Sequence, residues 1–435
     1  MQSIWAILRS ESAEIHARVQ PGGIFPHVMT VRRVMECSEC KERVLTRTAA
    51  GHADYQEFAF PCPKCGIELR FGMTLDQQNP EVKYTLLKNG VWRDDLHDAP
   101  HERKFDTETL ISIDPDEPMM PFLRAPFLAK DTEASMQRHA ERYHALQKFW
   151  PALEKMSVHQ QNQNRPLLLK IAQELGYNDP IKTDHDALMT KLHAFDAYGS
   201  IFTCDDGAAR KQIGKLLASV RRAPSGQTEL IAFFEAEVRW VQLWNQLMSL
   251  RRMWATRVGL IVLPVYRSFD WDPAKATLAE YTLSQKRFEE LRPFFVDAYE
   301  TLGRLSVVAA GMECVAKHDK PAIPLSKREM SLAEFEAMAN GAKPGILQML
   351  GIGPLFVPFI DAKLRNGIGH HSAHYRVLLD DIYYQNQSGT TIERFSIGYV
   401  QFCEKLIRLY AQVEACAPVV SWLRANARDD VLPIV

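Results

Sequence analysis

Two pairs of cysteines in the N-terminal part of the chain have a spacing that indicates metal binding. Cys37 and Cys40 form one C-x-x-C pair, and Cys62 and Cys65 form the second pair after 21 intervening residues. A two-residue spacer lets both sulfurs of a pair reach one ion, and four thiolates complete the tetrahedral shell of a structural zinc site. Such a closed shell leaves no open position for catalysis. We therefore expect a structural Zn²⁺, with a redox-active cysteine pair as the alternative.

A second set of residues, near the other end of the chain, has the composition of a site that cleaves phosphodiesters. Arg365 is followed by Asn366, and His370 lies five residues after the arginine. A guanidinium stabilises the charge that develops on phosphoryl oxygens, and an imidazole moves a proton near neutral pH. Together they suit RNA cleavage by the RNA's own 2′-hydroxyl, without metal, which leaves a 2′,3′-cyclic phosphate. On an intact helix Asn366 and His370 share a face, so Asn366 could orient the imidazole or contact phosphate.

The segment R-N-G-I-G-H at 365–370 resembles the R-x4-6-H motif of the HEPN superfamily in its R-N-x-x-x-H form. The resemblance covers residues 284–416 and implies a helical bundle with endoribonuclease activity on RNA. In that family two motifs usually meet across a two-fold interface. Since this chain shows one motif, the resemblance implies a homodimer. It further implies a toxin or an effector of antiviral defence with a protein or phage-derived trigger, although the family also includes members that do not cut RNA.

Three neighbouring side chains could support this site. Asp361 lies four residues before Arg365 and could pair with it along the helix, or form a plain surface ion pair. His371 and His374 are expected in the cleft or at its rim. The four-residue spacing of His370 and His374 is also compatible with a metal, but no E-x-x-H arrangement accompanies it. Two glycines, at 367 and 369, either permit close approach of another helix or end this one.

The composition is that of an ordinary folded protein and sets limits on its class. Hydrophobic residues make up 46% of the 435 residues, charged residues make up 24%, and the net charge is -1. This balance provides no global basic field, so nucleic acid must be bound by local patches. The N-terminal residues lack a signal-peptide pattern, and the most apolar stretch, 258–266, is well short of a membrane span. We expect a cytoplasmic protein that does not cross a membrane.

The periodicity along the chain predicts a mainly α fold with an N-terminal β zinc ribbon and a C-terminal HEPN-like helical bundle. Strands are expected at 27–35, 57–60 and 69–71, and a hairpin is expected around the sequence N-Q-S-G at 386–389. Helices are expected at 131–156, 166–175, 208–222, 228–257, 284–317, 331–339, 354–369 and 396–416. The predicted domains are a zinc-ribbon domain at 1–93, a linker at 94–130, a helical middle domain at 131–275 and an HEPN-like domain at 276–435.

The middle region carries basic residues beside an aromatic residue. Arg251, Arg252 and Arg257 surround Trp254 in the sequence. Such groups suit RNA backbone contacts and base stacking. A solvated helix face is the interpretation we favour, because acidic residues are interspersed in the same region. Three other tryptophans occupy apolar helical positions and are expected in the core: Trp150, Trp240 and Trp244.

The function predicted from the sequence is a metal-independent endoribonuclease of the toxin or antiphage type. Arg365 and His370 are the expected catalytic residues, supported by Asn366. One rival is a zinc-ribbon adaptor whose helical domain only dimerises or contacts RNA or protein. A second rival is a regulator whose helices bind a nucleotide or a partner toxin.

Overall fold

The structure is a computed structural model of the chain. It describes residues 30–49, 55–76, 81–94, 99–107, 109–114, 117, 119–204, 207–370, 372–388 and 391–427. His371 and the first three residues of the strand expected at 27–35 lie outside these ranges.

Strands dominate the described residues before 113. They are β1 (Thr30–Cys37), β2 (Arg43–Ala49), β3 (Tyr55–Pro61), β4 (Glu68–Asp76), β5 (Glu81–Lys88), β6 (Gly90–Arg93), β7 (His101–Phe105) and β8 (Ile111–Ser112). One sheet has the order β6-β1-β2-β7 and another has the order β3-β4-β5. The strands expected at 57–60 and 69–71 are confirmed, since they lie within β3 and β4.

The two N-terminal sheets share a small aromatic core. The rings of Phe58 and Phe71 stack at 4.9 Å, and both lie 5.6 Å from the ring of Phe105. All three side chains are buried, together with Met35 and Leu69. This core is separate from that of the helices. A module of this size has few apolar side chains of its own, so a bound metal ion would add much to its stability.

The segment 94–130, which the sequence predicts to be an irregular linker, contains regular elements. Strand β7 lies parallel to β2 at the edge of the first sheet. Strand β8 pairs with β9 (Tyr281–Thr282), and helix α1 (Pro121–Leu128) follows. Both strand pairings join residues far apart in the sequence, so the local composition does not indicate them. The segment is part of the fold, and the position of the domain boundary stays a prediction.

Helices make up most of the described chain after residue 119. After α1 they are α2 (Thr132–His144), α3 (Trp150–Gln161), α4 (Arg165–Glu174), α5 (Asp184–Ile201), α6 (Ala208–Val220), α7 (Pro224–Glu235), α8 (Arg239–Met253), α9 (Gly259–Ser268), α10 (Phe288–His318), α11 (Leu332–Ala337), α12 (Pro344–Leu350), α13 (Gly353–Phe356), α14 (Ala362–Gly369), α15 (Tyr399–Cys416) and α16 (Pro418–Asn426). Short strands interrupt them: β10 (Ile323–Pro324), β11 (Glu329–Met330), β12 (His374–Arg376), β13 (Asp381–Ser388) and β14 (Thr391–Gly398). The chain is therefore mainly helical behind an N-terminal β region, as the sequence predicts.

Helix α10 forms the axis of the helical part. It is 31 residues long and contacts α6, α8, α14 and α15. One continuous cluster of buried side chains extends along the sequence from Leu110 to Leu423 and includes both the middle and the C-terminal regions. The helices on either side of residue 275 thus share one core, and their division into two domains stays a prediction.

The helix expected at 228–257 is broken in the structure. Glu237 has a φ of 55°, which a right-handed helix does not accommodate. The guanidinium of Arg239 donates hydrogen bonds to the carbonyls of Phe233 and Ala236, at 3.3 and 3.1 Å. These bonds satisfy carbonyls that the end of α7 leaves free. The periodic apolar pattern continues across the break, so periodicity alone predicts one helix.

The basic and aromatic cluster of the middle region is not on the surface as a unit. Trp254 is fully buried, and Arg251 is 1% exposed. Both interpretations of this cluster, a stacking platform and a solvated helix face, are therefore wrong for these two residues. Trp150 and Trp240 are buried as expected, and Trp244 lies partly buried against the same core. Across the described helices, none has the length and apolarity that crossing a bilayer requires.

Candidate functional site

The four cysteine sulfurs lie together between the two N-terminal sheets. The Sγ atoms of Cys37 and Cys65 are 3.7 Å apart, those of Cys40 and Cys62 are 3.5 Å apart, and all four lie within 4.8 Å of one another. A tetrahedral zinc shell with bonds of about 2.3 Å has sulfurs roughly 3.8 Å apart. A backbone hydrogen bond at Glu42 lowers the pKa of Cys40 to about 7, whereas burial raises the pKa of Cys62. These four residues could hold a metal ion.

Two turns of the same form position these sulfurs. Cys37 is the last residue of β1, and Cys62 directly follows the last residue of β3. The backbone N–H of Lys41 donates to the carbonyl of Cys37 at 3.1 Å, and that of Gly66 donates to the carbonyl of Cys62 at 2.9 Å. Both donors have positive φ, 61° and 74°. Glycine adopts this conformation freely, which explains its place after the second pair.

Helix α14 carries the arginine and asparagine of the second candidate site. The carboxylate of Asp361 accepts a hydrogen bond from the backbone N–H of Leu364 at 3.1 Å and so begins the helix. The sequence predicts one helix over 354–369, and this start at Ala362 corrects it. Leu364 and Ile368 are buried. Because they occupy one face, Arg365 and Asn366 lie on the partly exposed side.

The guanidinium of Arg365 is bound by Glu300 of helix α10. Glu300 Oε1 accepts from Nε at 2.8 Å and from Nη2 at 2.6 Å. Nη1 lies 3.4 Å from the side-chain oxygen of Asn366. Arginine has five N–H donors, so donors on Nη1 and Nη2 remain for another group. The side chain of Arg365 is 28% exposed, which leaves it within reach of a ligand.

The pairing of Arg365 continues into a chain of polar side chains that ends at a buried lysine. Glu300 Oε2 accepts from the Asn340 amide at 3.0 Å, and Asn340 Oδ1 accepts from the Lys343 ammonium at 2.9 Å. Lys343 is buried and also donates to the carbonyl of Gly303. Burial lowers the pKa of Lys343 to about 8, although nearby carboxylates oppose the shift. A Cβ added at Gly303 would lie 2.2 Å from the Asn340 side chain, so any larger residue there would displace Asn340.

His370 stands at the C-terminal end of α14 and is exposed. Its backbone N–H donates to the carbonyl of Asn366 at 2.9 Å. The Arg365 guanidinium lies over the same end of the helix, since a Cβ added at Gly369 would be 3.6 Å from Nη1. Arginine and histidine therefore emerge at one end of a short helix. No described side chain forms a hydrogen bond with the His370 imidazole. Asn366, which the sequence suggested could orient it, contacts the Arg365 guanidinium instead.

Two of the three expected supporting residues, Asp361 and His374, lie among the residues that the structure describes. Asp361 caps α14 and pairs with Lys405 at 2.8 Å instead of pairing with Arg365. His374 is exposed in β12, where its ring lies 5.2 Å from that of Tyr383. His371, the third expected supporting residue, lies outside the described residues.

The structure explains the two glycines of the motif by two different features. A Cβ at Gly367 would lie 2.6 Å from the ring of Tyr384 in β13, so close approach is needed there, within the chain itself. Gly369 is the last residue of α14, which matches the expectation of helix termination.

The residues that sequence reasoning missed at this site are Glu300, Asn340 and Lys343. Glu300 lies 65 residues before its partner Arg365. It is an ordinary acidic residue of a long amphipathic helix, and no local pattern distinguishes it from its neighbours. The glycine at 303, which sits in a helix interior, is the one local signal that something packs closely at this point of α10.

Comparison of the chain with protein-family models, with curated proteins and with solved structures returns no match. The resemblance to the HEPN superfamily thus depends on the motif residues themselves.

Proposed function

We propose that the protein is a metal-independent endoribonuclease whose catalytic residues are Arg365 and His370. The observation that carries the proposal is their common position: an accessible guanidinium and an exposed imidazole lie at the same end of α14. These are the two groups that cleavage of RNA by its own 2′-hydroxyl requires. Both lie on the outside of the helical core, where a long polyanion can approach them.

In this mechanism the 2′-oxygen forms a bond to phosphorus and the bond from phosphorus to the 5′-oxygen breaks. The products are a 2′,3′-cyclic phosphate and a 5′-hydroxyl. His370 moves a proton at the attacking or the leaving oxygen. The free donors of Arg365 stabilise the charge on the phosphoryl oxygens. Asn366 supports the arginine through the contact between Oδ1 and Nη1.

Glu300 fits this mechanism as a positioning residue. One oxygen of Glu300 binds the edge of the guanidinium formed by Nε and Nη2 and leaves the Nη1 side toward Gly369 and the helix end. A guanidinium held by a carboxylate loses little side-chain entropy when a phosphate binds. The carboxylate also reduces the local positive charge, so RNA affinity must come partly from other cations of the chain.

We further infer a homodimer in which two copies of the motif form one cleft, and a role as a toxin or antiphage effector with a protein or phage-derived trigger. These inferences rest on the resemblance to the HEPN superfamily. The metal at the cysteine cluster is proposed to be a structural Zn²⁺. Four thiolates at tetrahedral spacing favour it, and they leave no position for a substrate.

A non-catalytic adaptor that binds RNA or protein is the second candidate. The pairing of Arg365 with Glu300 favours it, because a neutralised arginine that ties α14 to α10 also has a purely structural use.

Cleavage of RNA in the presence of a chelator distinguishes the two candidates. Arg365→Ala and His370→Ala should each slow cleavage at least about a hundredfold, and the wild-type products should end in 2′,3′-cyclic phosphates. Arg408→Ala and His318→Ala are matched controls, since Arg408 forms an exposed ion pair with Glu404 and His318 is exposed at the end of α10. Binding of RNA without cleavage by the wild-type protein would establish the adaptor and reject the enzyme.

A further inference from the structure

A cleft of about 290 Å³ lies where the N-terminal sheets meet the C-terminal hairpin. At about 30 Å³ per water molecule, this volume equals that of roughly ten waters, enough for a small organic molecule. Its walls come from three separate parts of the chain: strands β3 and β7, the pairing of β8 with β9, and the turn after β12. Both β3 and β7 are edge strands of their sheets. The cleft is distinct from the cysteine cluster and from the end of α14.

The floor of the cleft is a partly buried polar cluster. The ammonium of Lys286 lies 2.6 Å from Asp380 and also donates to Thr282, and the hydroxyl of Tyr375 donates to Asp380 at 2.8 Å. Thr282 donates in turn to the other oxygen of Asp380. The side chain of Lys286 is 9% exposed. One cation and one carboxylate compensate each other, so this floor offers hydrogen-bonding groups but no net charge.

The walls are mainly apolar and aromatic. Phe60 and Phe105 line the cleft with their rings 5.2 Å apart, and the more exposed apolar side chains of Ile113, Met119 and Leu378 line it as well. Such walls make their most extensive contact with a flat aromatic ring. An apolar cleft with a few convergent polar groups is the usual form of a small-molecule site.

The rim carries one cation that no described residue neutralises. Arg103 lines the cleft and stands opposite Thr46 in the register of β7 on β2, while Phe105 stands opposite Thr48. Alternate residues of a strand share a face, so Arg103 and Phe105 leave β7 on the same side. No ion-pair or hydrogen-bond partner of the Arg103 guanidinium is found among the described residues. The carboxylates of Glu68, Glu102 and Glu117 also line the cleft, but each pairs with an arginine, so the Arg103 guanidinium remains to bind a negative group on whatever occupies the apolar part.

We propose that this cleft binds a small aromatic carboxylate, with the ring between the apolar walls and the carboxylate at Arg103. Such a ligand would contact three separate parts of the chain at once. The hydrogen bonds that already join these parts include those of Ser284 with Ala59 and with Asp106. Its floor also belongs to the segment that follows the proposed catalytic histidine, since Tyr375 lies five residues after His370. Binding itself does not depend on the proposed nuclease activity.

Naphthalene-2-carboxylate and its uncharged analogue, naphthalene-2-carboxamide, are suitable probes for calorimetric titration of the full chain. We expect one site per chain, with the carboxylate bound about five- to tenfold more tightly than the carboxamide. Arg103→Gln should remove this difference. Arg32→Gln, which changes an exposed arginine on the other face of the same sheet, should preserve it.

A second variant locates the site independently of charge. Val377 lines the cleft from the turn after β12, and Val377→Trp should fill it and weaken both probes about tenfold or more. The proposal is overturned if neither probe binds saturably up to about 1 mM. It is equally overturned if Arg103→Gln and Arg32→Gln behave alike, or if Val377→Trp leaves binding unchanged, because the probes would then be adventitious ligands of another surface.

Discussion

The ion pair between Arg251 of α8 and Glu414 of α15 connects the middle and C-terminal regions at the centre of the helical core. Two guanidinium nitrogens contact the carboxylate at 2.6 and 2.9 Å, and the side chains are 1% and 0% exposed. Burial disfavours the charged guanidinium, but the Glu414 carboxylate outweighs it, and the net pKa of Arg251 is raised. We therefore expect Glu414→Met to leave a cation that can neither lose its proton nor reach water.

Breaking a buried pair by removing one partner costs about 3–5 kcal/mol. Asp196 lies near Arg251, and its carboxylate favours the charged guanidinium even though burial raises the pKa of Asp196 itself, so we expect the lower end, about 3 kcal/mol, for Glu414→Met. The double variant Arg251→Met with Glu414→Met removes both charges and keeps the apolar volume. Its free energy of unfolding should lie within about 1 kcal/mol of the wild type.

Urea unfolding followed by helical circular dichroism measures these values, provided that the slope of the transition is unchanged. The adjacent residue supplies a matched control. Arg252 contacts Glu154 at the same 2.9 Å, but its side chain is 70% exposed, so Arg252→Met should cost less than about 1 kcal/mol. The reasoning is refuted if Glu414→Met costs no more than Arg252→Met, or if the double variant is as unstable as Glu414→Met.

Two other predictions concern the metal and the buried lysine. Elemental analysis of the wild-type chain should find one zinc ion. Cys65→Ser should release this ion to a chelator far more readily than the wild type, whereas Cys204→Ser should retain it. Equal retention by both variants would exclude the cysteine cluster as the zinc site. Between about pH 8 and 10.5 the Lys343 side chain holds a proton in the unfolded chain but not in the folded one. The free energy of unfolding of the wild type should therefore rise with pH across this range relative to that of Lys343→Met, by up to about 3 kcal/mol. A constant difference in the free energy of unfolding from pH 7 to 10.5 would contradict the lowered pKa of Lys343.

Features that depend on neighbouring residues could be predicted from the sequence. The cysteine cluster is one, because each C-x-x-C turn is closed by a hydrogen bond within five residues. The hairpin formed by β13 and β14 is another, since its turn residues and alternating strands adjoin. The long helix expected at 284–317 corresponds to α10, at Phe288–His318, for the same reason. Local propensity and periodicity suffice for such elements.

Features that join distant residues were decided only by the tertiary structure. The partner of Arg365 is Glu300, although Asp361 is nearer in the sequence and has the right helical spacing. Arg251 is buried, while Arg252, one residue later on the same helix, is exposed. The sequence shows which charges exist, but their partners are set by which helix faces meet. That choice is made by the packing of the whole core, because burying a charge is tolerated only where a distant residue compensates it.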